Sequence, residues 1–119
     1  MAWDDRMKDF HARRAHARSM GGPARIARRR GAGALNARER VERLLDSGSF
    51  LEVGTFNTSD VPGMEAETPA DSKVGGFGRI DGRPVVVCSN DFTVLAATSS
   101  RVASHKEADL KRLAARRGL

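Results

Sequence analysis

The apolar and polar positions of this chain follow helical spacing at both ends and strand spacing in between. Trp3, Met7, Phe10 and the alkyl stem of Arg14 recur at helical intervals, with Ala12, Ala15 and Ala17 filling in. This predicts an amphipathic helix ended by Gly21, Gly22 and Pro23. A short basic segment follows at 24–30, broken by Gly31 and Gly33. The next helix is the best signposted: Asn36 suits an N-cap, Glu39 stands three residues later as in a capping box, and Val41, Leu44 and Leu45 form one apolar stripe. Gly48 is read as its left-handed stop. Phe50, Leu51 and Val53 predict a short strand or docking segment, and 57–72, with Pro62, Gly63, Pro69 and four acids, predicts a loop.

The region 73–100 carries the strand signals. Residues 74–80 and 84–88 flank Asp81 and Gly82, a dipeptide suited to the positive φ angles of a two-residue hairpin. Pro84, with no amide donor, belongs at a strand start, and the run 85–88 suits a strand buried on both faces. A further strand is predicted at 91–95, running into the small residues Ala96, Ala97, Thr98, Ser99 and Ser100. Such a loop lets backbone amides approach a ligand closely, and it equally suits a plain strand-to-helix connection. Val102, Leu110, Leu113 and Ala114 then predict a last amphipathic helix, with Arg116 and Arg117 at its negative end, Gly118 as stop and His105 exposed. The chain ends where another strand is due, an incomplete crossover unit that implies a longer fold.

Composition narrows the function classes. At 119 residues and 39% hydrophobic content there is material for one modest core. No apolar run approaches the roughly 18 residues of a membrane span, and the acidic start lacks the pattern of a signal peptide, so a cytoplasmic protein is expected. Cys88, the single cysteine, is read as a small buried apolar residue, and His11 and His16, five apart, as solvated side chains with no metal expected. The net charge of +6 is uneven: +7 over 1–43, −5 over 44–95 and +4 over 96–119. Seventeen of the twenty-one bases are Arg, which favours bidentate recognition of phosphate or carboxylate. Arg25, Arg28, Arg29 and Arg30 form a cluster that is either a solvated face or a phosphate-contacting patch.

Several stretches, in order, resemble one family. GG at 21–22, LNARERV at 35–41, LLDSGSFLE at 44–52, GRIDGRPV at 78–85 and NDFTV at 90–94 are similar to the N-terminal end of biotin-dependent acyl-CoA carboxyltransferase subunits of the propionyl-CoA and acetyl-CoA carboxylase beta-chain type. The resemblance implies an α/β architecture: an incomplete crotonase-like (ClpP-like) ββα fold preceded by N-terminal helices. It divides the chain into a basic helical segment 1–56, a loop 57–72 and an opening ββα part 73–119. It implies transfer of a carboxyl group between carboxybiotin and an acyl-CoA, with backbone amides stabilising the oxyanions and no catalytic side chain in this chain. Biotin is then carried on a partner domain, a biotin carboxyl carrier or biotin carboxylase subunit, acyl-CoA is the substrate, no metal is bound, and the full-length subunit forms a homo-oligomer. The CoA-facing residues so implied are Ala96, Ala97, Thr98 and Ser99, with Arg25, Arg28, Arg29 and Arg30 available to CoA phosphates. Where the family commonly has Gly-Gly-Ser after this strand, the chain has Ala96, Ala97 and Thr98. The glycine-rich oxyanion segments lie beyond Leu119 in the family, so the chain reads as an N-terminal fragment that does not turn over alone. Two other classes stay open, a small basic nucleic-acid-binding protein and a non-catalytic assembly protein. The first is disfavoured by scattered aromatics and the absence of a zinc or helix-turn-helix pattern.

Overall fold

A computed structural model describes residues 2–97 and 100–119. Four helices, α1 (Trp3–Arg18), α2 (Pro23–Gly31), α3 (Ala37–Leu44) and α4 (Arg101–Arg117), surround three strands, β1 (Leu51–Val53), β2 (Lys73–Ile80) and β3 (Arg83–Asn90). The strands form one antiparallel sheet in the order β1-β2-β3. No described helix is long and apolar enough to cross a membrane.

The hairpin joining β2 and β3 forms as its sequence dictates. Asp81 (φ 51°) and Gly82 (φ 79°) make the two-residue turn, which pairs Ile80 with Arg83 and, at the far end, Lys73 with Asn90. Because side chains alternate across a strand, Val74 and Ile80 point to the face occupied by Ala37, Val41 and Leu45 from α3, the buried centre of the molecule. Lys73, Gly75 and Phe77 point to the other face: Lys73 pairs with Glu107 of α4, and the Arg117 guanidinium lies 5.9 Å from the Phe77 ring centre. The sheet is therefore sandwiched between α3 and α4. Both helices come close because β2 is rich in glycine. A Cβ at Gly78 would stand 2.5 Å from Leu45 Cδ1, one at Gly75 2.7 Å from Leu110 Cδ1, and one at Gly76 2.0 Å from the Leu51 carbonyl oxygen of β1.

The capping of α3 is as its sequence suggests. The Asn36 side chain accepts a hydrogen bond from the Glu39 amide at 2.9 Å and donates to the Glu39 carboxylate. The helix stops earlier than its glycine: Leu45 is already extended, and Gly48 (φ 73°) sits in the next turn, closed by Ser49 N donating to Asp46 O at 3.0 Å. At the other end of the molecule, Ser100 caps α4 by accepting from Ala103 N, and left-handed Gly118 ends it.

Four expectations are corrected. The apolar positions of α1 are only loosely covered: Trp3 is 72% and Phe10 40% exposed, the Phe10 ring lying 5.9 Å from that of Phe56, and only Ala17, in the last turn, is buried. The run 85–88 is half-buried at best, because β3 is an edge strand with one flank open. Cys88 is consequently exposed and not a core residue. Residues 91–95 are no strand. The Asp91 carboxylate accepts from the Thr93 amide (3.0 Å) and hydroxyl (2.6 Å), and Val94 N donates to Asp91 O, so the backbone turns away from the ladder directly after Asn90. An Asx turn competes with the ladder for the same amides, and here it wins.

Candidate functional site

The two groups of residues singled out by sequence, on α2 and around Ala96, meet in space. Gly21, just before α2, lies so close to the 91–97 segment that a Cβ there would be 1.9 Å from Thr93 O, and its amide donates to Thr93 Oγ1 at 2.9 Å. Arg25 then donates to Thr93 O at 3.3 Å. Beside this junction runs a groove of about 560 Å³ bordered by Met20, Pro23, Arg25, Glu67, Pro69 and Leu95. Arg28 is exposed. Arg29 donates through Nε to Leu35 O at 2.9 Å and stacks 5.7 Å from the centre of the exposed Phe92 ring. Arg30 lies 3.6 Å from Glu39. Part of the arginine cluster thus holds α2 against the 91–97 turn and α3, while Arg25, Arg28 and Arg30 are exposed.

The loop after Val94 has an unusual backbone. Leu95, Ala96 and Ala97 have φ of 44°, 54° and 56°, three successive non-glycine residues in the left-handed region, a conformation that costs a non-glycine residue roughly 1–2 kcal/mol each. Ala96 is exposed and Ala97 half-buried; Thr98 and Ser99 lie outside the described residues. A second left-handed run, Ala70, Asp71 and Ser72 (φ 54°, 46° and 59°), is buried next to it. Both runs lack the glycine that ordinarily marks positive φ.

The remaining motifs are structural joints. Arg38 of LNARERV makes a two-pronged ion pair with Glu52 of LLDSGSFLE, at 2.7 and 3.1 Å. Asp46 of the same motif accepts from Asp81 N and Gly82 N, both at 2.8 Å, and these two amides hold its carboxyl below the usual carboxylate range. The motif at 44–52 is therefore fastened both to the one before it and to the one after it. Among the described residues, no group of three or more His, Cys, Asp and Glu side chains is placed to hold a metal ion.

Comparison with known proteins decides the family. Residues 28–119 match the carboxyl transferase domain. The chain belongs to that family. The propionyl-CoA carboxylase beta chain of Roseobacter denitrificans is 43% identical over 117 residues, covering 96% of this chain and 23% of that protein. Among solved structures, the transcarboxylase 12S hexamer with hydrolysed methylmalonyl-CoA bound is similar with a TM-score of 0.88 at 32% identity, over 96% of this chain and 23% of that one. A single-chain, multi-domain long-chain acyl-CoA carboxylase gives 0.89 at 30% identity, over 100% and 13%. The three-stranded sheet and its helices are thus part of the crotonase-like carboxyltransferase fold, and the chain spans about a quarter of the length of the curated relatives it matches.

Proposed function

We propose that this chain is the N-terminal portion of a carboxyltransferase subunit that moves a carboxyl group between carboxybiotin and an acyl-CoA, and that it supplies part of the acyl-CoA-facing surface. The observation that carries the proposal is the continuous match over 28–119 together with the backbone likeness to a 12S structure described with hydrolysed methylmalonyl-CoA bound. In this reading biotin, carried on a biotin carboxyl carrier partner, supplies the carboxyl group, and no residue of this chain is assigned to hold it. What the chain provides is positioned backbone and positive charge. The turn at Leu95–Ala97 lies along the CoA, and Arg25 and Arg28 face its phosphates, while Arg29 and Arg30 fix α2 in place. The subunit is cytoplasmic and works as a homo-oligomer, in line with the hexamer named for the 12S relative. The engagement of Arg29 and Arg30 with a carbonyl and a carboxylate favours this over a nucleic-acid-binding role, which needs a free basic stripe.

The test is a chimaera in which this chain replaces the matching segment of the Roseobacter beta chain. We expect an assembled oligomer that carboxylates propionyl-CoA; an assembled oligomer that does not bind propionyl-CoA overturns the proposal. In the same chimaera Ala97→Leu should weaken propionyl-CoA binding at least about tenfold, since a bulky side chain would stand where the thioester approaches. Unchanged affinity removes the loop from the site.

A further inference from the structure

The most buried cationic residue among the described residues is Lys106, on the second turn of α4, 5% exposed. Its Nζ donates to two backbone carbonyls, Ala70 O at 2.9 Å and Lys73 O at 2.5 Å, that of the first residue of the left-handed run 70–72 and that of the residue just after it. Its side chain fills the space in front of Gly54, where a Cβ would stand 2.5 Å from Lys106 Cε. Glu52 and Asp71 attract the ammonium and Arg38 repels it, while burial lowers its pKa to about 8. Burying a lysine is unfavourable unless its protons are all used, so its presence here asks what it holds.

The run 70–72 is the anchor for both ends of the 91–100 segment. At one end Asp91 N donates to Ser72 O at 2.8 Å. At the other, the Ser100 hydroxyl donates to the Asp71 carboxylate while it also caps α4. Three non-glycine residues with positive φ do not hold that shape unaided. Lys106 bonds the carbonyl of the first of them and that of Lys73, just after the last, and so closes the turn from within.

We propose that Lys106 is a positioning residue: by clamping the turn 70–72 it sets the shape of the 91–100 loop, and hence of the acyl-CoA surface. That last consequence rests on the function proposed above; the mechanical one rests on the geometry alone.

Amide hydrogen exchange on the full chain tests it, comparing wild type with Lys106→Met, each with and without propionyl-CoA. The amides of Asp91, Thr93, Val94 and Ala97, all hydrogen-bonded within the loop or to Ser72, should exchange about tenfold faster in Lys106→Met relative to those of the β2–β3 hairpin. Val41→Ala, a core truncation on α3, should speed loop and hairpin together. In the Lys106→Met background Ser72→Gly, which removes the penalty of positive φ, should restore much of the loop's protection. A loop that responds no more than the hairpin, or that Ser72→Gly does not rescue, overturns the proposal. If Lys106→Met does not fold, Ser72→Gly in the wild type decides, because slower exchange of the same four amides is required and unchanged exchange refutes the clamp. The propionyl-CoA arm separates the two readings: if Lys106→Met loosens the loop but propionyl-CoA never protects it in wild type, the clamp stands and the loop's assignment to acyl-CoA fails.

Discussion

The double substitution Ala96→Gly, Ala97→Gly is expected to stabilise the chain. Both residues sit near φ +55°, where an L-residue with a Cβ is strained by roughly 1–2 kcal/mol relative to glycine. Against this stands the greater freedom of glycine in the unfolded chain, about 0.4–1 kcal/mol per position. Little packing is lost, since Ala96 is exposed and Ala97 half-buried. The net gain is about 0.5–1 kcal/mol per site, ~1–2 kcal/mol for the pair. In urea unfolding, with a slope of roughly 1–3 kcal/mol/M for a chain this size, the midpoint should rise by on the order of 0.5–1 M with an unchanged slope. Ala103→Gly is the internal control. It lies in right-handed α4 and is 1% exposed, so the same chemical change should cost about 1 kcal/mol or more there. If the double variant is no more stable than wild type while the control behaves, the left-handed geometry at 96–97 is not strained and the reasoning fails. The family pattern of glycines at this place would then reflect access for the CoA ester and not backbone shape.

Other expectations follow from individual contacts. Arg38→Ala leaves Glu52, whose side chain is 6% exposed, without its partner, and should cost about 3–5 kcal/mol; Arg38→Met with Glu52→Met should cost far less, a coupling that a double-mutant cycle reads directly. The Asp46 carboxyl has a folded pKa below its ordinary 3.8, so its contribution is complete above pH 4 and is lost as pH falls through the folded value; in Asp46→Ala the acid limb of the stability curve should flatten. Lys106 acts with the same sign in a more alkaline window. Its folded pKa of about 8 lies below the ordinary 10.5, so the unfolded chain holds the extra proton between those values and stability should climb with pH from about 8 to 10.5. Lys106→Met should abolish that climb, and a climb that persists in the variant assigns it to another group.

Much of this protein is written in local sequence. The hairpin follows from Asp81 and Gly82, whose backbone accepts positive φ, and α3 follows from the Asn36 cap and the spacing of Val41 and Leu45; such signals involve neighbours within a few residues and need no tertiary context. The order of the family motifs also identifies the lineage before any coordinate. What sequence could not supply were choices between competing local structures and the placing of distant groups. Asp91 and Phe92-Thr93-Val94 carry strand propensity, and only the Asx turn, backed by Gly21 and Arg25 bonding to Thr93, ends the strand at Asn90. The valine run at 85–88 looks like an interior strand, yet β3 is exposed because no described strand pairs with its outer edge. Trp3 and Phe10 fall at helical spacing, but spacing says only that they share a face and not that anything covers it. The two left-handed runs at 70–72 and 95–97 have no glycine to announce them. They exist because Lys106, Asp71 and Ser100, up to 36 residues apart in the chain, make hydrogen bonds in the folded molecule that no local segment can make for itself.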